Sequence, residues 1–180
     1  MPPKPETYIS VDIEASGPIP GDFSLLSIGA CIVGQTNRTF YAELKPLNTN
    51  FIQQAMEVNC LSLEKLKAEG EEPARAMARF SQWIKNVSKE NRPVFVGFNA
   101  TFDWSFTHWY FIKFLGRDPF GISGLDIKAY FMAKHQLSWQ ETNKKKVRSL
   151  YPPKTAHTHN ALDDAQEQAE IFNQMLKQTF

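Results

Sequence analysis

The stretch YISVDIEASG, residues 8–17, most strongly constrains the fold of this chain. Its first six residues have the aromatic and β-branched content of a buried strand, and a Gly-Pro pair follows and breaks it. Because side chains alternate between the faces of a strand, Asp12 and Glu14 point to the same side, about 7 Å apart along the backbone. Val11 and Ile13 point to the other side, into a predicted core. Two carboxylates on one face repel each other, so we expect a positive group between them.

Composition favours one folded domain spanning residues 1–180. The chain has 180 residues, of which 42% are hydrophobic, which suffices for a single core. The formal net charge is only +1, so a nucleic-acid surface would have to be local rather than spread over the molecule. The first residues lack the apolar stretch of a signal peptide, and no run approaches the ~20 apolar residues of a membrane span. We therefore expect a cytoplasmic protein with no membrane partner. Cys31 and Cys60 lie in apolar-patterned segments and are predicted to be buried free thiols.

The order of predicted elements indicates an α/β fold with a mixed sheet. Three strands joined by short connections are predicted first, as an antiparallel meander, and helices alternate with two more strands after them. The strand that carries the acidic pair is expected to become central once later strands pair with its free edge. Residues 144–159, KKKVRSLYPPKTAHTH, are predicted to form a basic, proline-containing loop before a long C-terminal amphipathic helix.

Two further acids lie near predicted helix starts. Asn99 follows a strand and is a candidate helix N-cap, which places Asp103 about one turn inside that helix. Asn160 is a similar candidate, which places Asp163 at the third helical position and Asp164 at the fourth. Asp163 there fits a local capping role. Asp164 is predicted on the inward face, where an ionised residue needs a partner.

Asp12, Glu14, Asp103 and Asp164 together carry a formal charge of minus four, which two divalent cations would balance. Ligands that are all oxygen suit Mg²⁺ or Mn²⁺ better than Zn²⁺. Two such ions about 4 Å apart assist displacement at phosphorus. His159 lies five residues before Asp164, which in a helix is about 7.5 Å of rise, so we expect it outside the metal shell. It is predicted to act as a general base on a metal-bound water.

The motifs VDIEASG, NATFDWSF and HNALDDA resemble the three motifs of the DEDDh family of 3′–5′ exonucleases. The third matches H-x-A-x-x-D-A at every fixed position, which favours His159 over His157 as the base. The resemblance covers about residues 7–175. It implies an RNase H-like fold, with a five-stranded mixed sheet flanked by helices. It also implies that two divalent cations, Mg²⁺ or Mn²⁺, assist release of nucleoside 5′-monophosphates from single-stranded or frayed DNA or RNA 3′ ends.

The resemblance also implies contacts with the 3′-terminal nucleotide. Ala15 and Ser16, directly after the first acids, are the candidates in the first motif. Asn99 is the candidate in the second motif. Phe102 is a candidate on other grounds, since it belongs to an aromatic run of which most rings are expected in the core and one or two could stack on a base. Phe98 departs from the family pattern, because many relatives have His at this position.

Three alternatives remain open at the level of sequence. Lys144, Lys145, Lys146 and Arg148 form a charge run that either grips phosphates near the site or is simply solvated. A narrower activity, such as oligoribonuclease or RNase T-like trimming of RNA 3′ ends, is the alternative within the enzyme class. A catalytically silent module that binds nucleic acid or a polymerase is the alternative outside it.

Overall fold

The computed structural model describes residues 3–178, so the two outermost residues at each end of the predicted 1–180 domain lie outside the described residues. Five strands are present in this part of the chain: β1 Glu6–Ala15, β2 Leu25–Ile32, β3 Gln35–Glu43, β4 Arg92–Gly97 and β5 Gly124–Asp126. They form one sheet in the order β3-β2-β1-β4-β5. The first three are an antiparallel meander, and β4 and β5 continue the sheet in parallel from β1. The predicted mixed sheet and the central position of β1 are confirmed.

Helices connect and cover the strands. Within the described residues they are α1 Gln53–Asn59, α2 Leu63–Glu69, α3 Pro73–Ser88, α4 Thr101–Leu115, α5 Ile127–His135, α6 Lys144–Leu150 and α7 Ala161–Lys177. Local signals explain several ends. Pro73 opens α3, where its missing N–H costs nothing, and Gly116 ends α4 in the left-handed conformation. Asn160 caps α7 as predicted, because its side chain accepts hydrogen bonds from the N–H groups of Leu162 and Asp163.

The sheet separates two hydrophobic cores. On one face, α3 and α4 pack against the buried side chains of Val11 and Ile13, and Phe80 stacks on Phe111 with ring centroids 5.5 Å apart. The second core, on the opposite face, is built from α5, α6 and α7. Because alternate residues of β1 face opposite sides, the carboxylates of Asp12 and Glu14 lie on the α7 side.

A glycine allows α7 to approach the sheet beside the acidic pair. Gly29 in β2 is the register partner of Asp12 in β1. A Cβ atom at Gly29 would lie only 2.3 Å from the carbonyl carbon and oxygen of Ala161, the first residue of α7. Only a glycine therefore permits this contact, which places the first turn of α7, including Asp164, directly over the centre of the sheet.

The predictions for the basic loop and for Cys60 are wrong. Residues 144–150 are not a loop but helix α6, which Asn143 caps by accepting a hydrogen bond from the Lys146 N–H. Val147 of α6 is fully buried in the second core, so packing as well as capping stabilises this short helix. Cys60 is exposed rather than buried, because it ends α1 with φ of 55°. Cys31 is buried as predicted, and both cysteines are free thiols.

Asn99 is not the N-cap of α4. It adopts φ of 63° in the turn after β4, and Ala100 holds the cap position without a side-chain hydrogen bond. The backbone N–H of Ala100 donates instead to Oδ2 of Asp126 at 3.0 Å. The start of α4, which carries Asp103, is thus fixed by the end of β5. No helix within residues 3–178 is long and apolar enough to cross a membrane.

Candidate active site

Three of the predicted acids converge at the centre of the sheet. Asp12 and Glu14 come from β1 and Asp164 from the first turn of α7, and their carboxylate oxygens lie within 4.8 Å of one another. β1 presents its two acids rigidly because the strand is paired on both sides. Asp164 is only 2% exposed, so its charge cannot be balanced by solvent. This cluster is the arrangement predicted from the first and third motifs.

Asp103 lies beside this cluster but does not belong to the three-carboxylate group. It is buried near the start of α4, and its Oδ1 accepts a hydrogen bond from the backbone N–H of Ile13 at 3.1 Å. Ile13 is the residue between the two acids of β1, so this bond fixes Asp103 against the same strand. The second motif therefore contacts the first motif through a hydrogen bond between the Asp103 side chain and the backbone of β1.

Gln168 is a site residue that the sequence reasoning missed. Its side-chain N–H donates to Oδ1 of Asp12, and its Oε1 accepts from the backbone N–H of Phe98 at 2.9 Å. The residue is buried, and it links α7, β1 and the end of β4. Its position four residues after Asp164, on the same face of α7, is the signal that could have identified it.

Burial and mutual repulsion raise the pKa values of three acids. Burial raises the pKa of Glu14 to about 8, and the nearby Asp164 and Asp103 carboxylates add to the rise. Burial also raises the pKa of Asp103 to about 7, against the lowering effect of the Ile13 hydrogen bond. The pKa of Asp12 is raised well above its ordinary value by burial and by its three acidic neighbours. The positive charge of Lys144 acts in the opposite direction and lowers all three pKa values.

Two histidines lie at Asp164. Nδ1 of His157 is 2.7 Å from Oδ2 of Asp164, and the Thr158 N–H donates to Oδ1 of the same carboxylate at 3.0 Å. The His157 and His159 rings are 4.4 Å apart, and ring nitrogens of both lie within 4.8 Å of an Asp164 oxygen. The expected separation of His159 from Asp164 is therefore wrong, since His159 precedes the helix with φ of 57° and its chain folds back.

A cleft of about 350 Å³ opens beside Glu14. Its walls are mostly apolar and come from the end of β1, from α1 and from Phe102, which is 37% exposed. Ala15 lines this cleft. The hydroxyl of Ser16 instead donates to the Asn50 carbonyl at 2.8 Å and accepts from the Ser24 N–H at 2.9 Å. Asn99 is exposed and lies outside the cleft lining.

The donor set of the cluster fits a hard divalent cation. Asp12, Glu14 and Asp164 offer carboxylate oxygens alone, which suit Mg²⁺ or Mn²⁺. The raised pKa values of Asp12 and Glu14 also favour a cation site, because carboxylates crowded in a low-dielectric site retain protons unless a cation replaces them. An acidic cluster over the central strand of an RNase H-like sheet is the arrangement expected of a nuclease.

Comparison with known proteins specifies the class further. The RNase_T family model, described as Exonuclease, matches residues 9–172. The 3′-5′ DNA exonuclease Cap18 of Escherichia coli is 49% identical over 168 residues, covering 93% of this chain and 90% of its own length. The chain therefore belongs to this exonuclease family and is a 3′–5′ exonuclease.

Solved structures of low identity show the same fold. The nuclease domain of 3′hExo, a DEDDh family member bound to rAMP, superimposes with a TM-score of 0.74 at 12% identity. That match covers 95% of this chain and 92% of the other. E. coli Exonuclease I in complex with a dT13 oligonucleotide gives a TM-score of 0.73 at 16% identity. It covers 96% of this chain but only 41% of Exonuclease I, so this chain corresponds to one part of that protein.

Proposed function

We propose that this protein is a single-domain, metal-dependent 3′–5′ exonuclease that releases nucleoside 5′-monophosphates from the 3′ ends of single-stranded or frayed DNA. The observation that carries the proposal is the convergence of Asp12, Glu14 and Asp164 within 4.8 Å, with Asp103 fixed against the same strand. DNA is favoured because the relative that shares 49% identity is named a DNA exonuclease.

The four acids would hold two divalent cations, Mg²⁺ or Mn²⁺. Asp12, Glu14 and Asp164 would bind the first, and Asp12 would also touch the second, which Asp103 would support directly or through water. When bound, such ions activate water and stabilise the leaving oxygen in displacement at phosphorus. Gln168 would hold the Asp12 carboxylate in place through its hydrogen bond to Oδ1. The bond from Ile13 would hold Asp103 in the same way.

His159 would take the proton from the attacking water. It makes no hydrogen bond or ion pair with the other residues between 3 and 178, and its side chain is exposed beside the acids. His157 is less suited to this role, because its Nδ1 lies 2.7 Å from Asp164 and 3.0 Å from the Lys144 ammonium group. An exposed imidazole beside the acids, with no hydrogen bond to other described residues, meets the geometric requirement for a general base.

The cleft beside Glu14 would receive the 3′-terminal nucleoside. Its apolar walls suit a base and sugar, and the exposed Phe102 ring could stack on the base. Ala15 would contact the nucleoside from the end of β1. Ser16 would act indirectly, because its internal hydrogen bonds shape the turn that follows Ala15.

A time course on 5′-labelled single-stranded DNA and RNA of equal sequence tests the proposal. With Mg²⁺ or Mn²⁺ we expect a ladder that shortens from the 3′ end, faster on DNA, and no cleavage in EDTA. Faster cleavage of RNA would favour the RNA-trimming alternative. Binding without cleavage in any metal would contradict the proposal and support the silent binding module.

Two adjacent acids provide a matched control for the metal ligands. We expect Asp164→Asn to lose most activity, whereas Asp163→Asn should keep it, because Asp163 accepts a hydrogen bond from the Thr158 hydroxyl at 2.7 Å and is not one of the three clustered acids. His159→Ala should lower kcat by about 10²- to 10⁴-fold and remove the limb of the pH profile that reports a base. If His157→Ala had the larger effect on kcat and on that limb, the base would be His157.

A further inference from the structure

The basic run at residues 144–148 separates into groups with different surroundings. Lys145 is exposed, and Lys146 forms an ion pair with Glu141 at 3.1 Å on the outer side of α6. Lys144 and Arg148 lie one turn apart and both reach Glu167 of α7. One side of α6 is thus directed at the helix that carries Asp164, and the other is directed at solvent.

Glu167 is completely buried, and its two oxygens are balanced separately. Nε of Arg148 lies 3.0 Å from Oε1, and Nζ of Lys144 lies 3.0 Å from Oε2. These are close ion pairs rather than well-aligned hydrogen bonds. Glu167 carries one negative charge and has two cationic partners, so the group of Arg148, Lys144 and Glu167 carries one net positive charge.

The Lys144 ammonium group lies at the acidic cluster. Its Nζ is 3.0 Å from Nδ1 of His157, which is itself 2.7 Å from Asp164. The same nitrogen lies 5.8 Å from the centre of the Phe98 ring, which forms a wall beside it. The side chain is nevertheless 27% exposed, so a ligand can reach it.

The charges leave this lysine in excess once cations are bound. Two divalent cations would balance the four acids, and Glu167 offsets only one of its two cationic partners, so one positive charge remains. A phosphodiester carries one negative charge. We propose that the Lys144 ammonium group binds a non-bridging oxygen of the 3′-terminal, scissile phosphodiester, and that Glu167 positions it. This inference rests on the proposed exonuclease function of the same site.

Binding measured apart from cleavage tests the inference. Fluorescence anisotropy would report the Kd of a labelled single-stranded DNA in Ca²⁺, a hard cation that takes oxygen ligands, with the DNA verified by gel to remain intact. Lys144→Met should weaken binding by about 10- to 100-fold, as expected for a lost hydrogen bond to a charged group. Lys145→Met is the matched control, because it removes the same charge from the exposed side of the same helix, and it should change Kd by less than about 2-fold.

Replacing one charged phosphodiester of the DNA by a neutral methylphosphonate identifies which phosphate Lys144 contacts. With a methylphosphonate at the 3′-terminal linkage, Lys144→Met and wild type should bind equally, whereas a methylphosphonate several linkages away should leave the difference intact. An equal Lys144→Met effect on both DNAs would overturn the proposal and indicate a structural or diffuse electrostatic role. If Lys144→Met does not fold, Lys144→Gln takes its place, since it can still contact Glu167 without a charge.

The outcomes distinguish this inference from the proposed function. If the effect of Lys144→Met on Kd depends on the charge of the terminal phosphate but wild type cleaves nothing in Mg²⁺ or Mn²⁺, the exonuclease function is contradicted and the contact between Lys144 and the phosphate is supported. Normal wild-type cleavage without that dependence would contradict the role of Lys144 alone.

Discussion

Replacing Glu14 with Gln should stabilise the metal-free protein at alkaline pH while it abolishes activity. Burial and the Asp164 and Asp103 carboxylates raise the pKa of Glu14 from 4.5 to about 8 in the folded protein. Folded Glu14 thus holds a proton that the unfolded chain releases. Its contribution to the free energy of unfolding is complete below about pH 4.5 and disappears as the pH rises through about 8.

The size of the effect follows from the two pKa values. Their difference, at ~1.36 kcal/mol for each pH unit, gives an upper limit of about 5 kcal/mol for Glu14. Charges on the other acids change over the same pH range, so the observed difference should be smaller. Glu14→Gln removes this dependence, because a neutral amide fills the same position at every pH.

Urea unfolding in EDTA at several values between about pH 5 and pH 9 measures this difference. We expect the variant to be more stable than wild type near pH 9 and the two to converge near pH 5. Glu90→Gln is the control, because Glu90 is exposed and should give parallel curves. Adding Mg²⁺ should stabilise wild type more than the variant. Parallel curves for wild type and Glu14→Gln would refute the reasoning, since Glu14 would then not lie in a crowded acidic site.

Three further predictions follow from single contacts. Gly29→Ala should destabilise the protein by about 1–3 kcal/mol and reduce activity, because the new methyl group displaces the start of α7; wild-type urea curves and rates would contradict this. Asp103→Asn and Asp103→Ala should both be inactive, but only the alanine variant should also lose about 1–3 kcal/mol of stability, since it leaves the Ile13 N–H unpaired. A thiol reagent should label Cys60 rapidly and Cys31 only on unfolding, because Cys31 is buried and burial raises its pKa to about 12; Cys60→Ser should abolish the rapid phase.

The features predicted correctly depend on neighbours in sequence. The alternation along β1 separates Asp12 and Glu14 from the core residues by local geometry alone. The cap at Asn160 likewise involves the next three residues, which fixes the position of Asp164 in α7. Such short-range rules predict the first three strands and most helices, whereas the resemblance to exonucleases implies the five-stranded sheet and the assignment of the acids to one site.

The errors arise where distant residues decide the structure. The start of α4 was assigned to Asn99, but Asp126, 26 residues further along the chain, binds the Ala100 N–H. The basic residues of α6 predict a solvent-exposed loop, because clustered positive charges favour water over a packed helix. The counter-charges that allow the helix come from Glu141 and Glu167, and only Asn143 gave a local signal for it.

The histidines show the same limit at the site. The predicted separation of His159 and Asp164 assumes a helical rise, but the chain reverses at His159, where φ is 57°, and both histidines lie at one carboxylate. The contact of His157 with Asp164 depends on that reversal, so no periodic pattern could indicate it. Gln168, in contrast, was open to prediction from its position on the face of α7 that carries Asp164.

Helix α7 sets a limit on which changes of chain length the protein can tolerate. One side of this helix carries three residues of the site. Asp164 joins the acidic cluster, Glu167 pairs with Lys144, and Gln168 donates a hydrogen bond to Asp12. A point substitution alters one of these three side chains. One residue inserted between Ala161, which packs on Gly29, and Asp164 would instead rotate all three side chains about the helix axis by about 100°. Insertions and deletions compatible with activity must therefore fall outside residues 161–168, and deletion of one residue in the first turn of α7 should reduce activity more than any one substitution there.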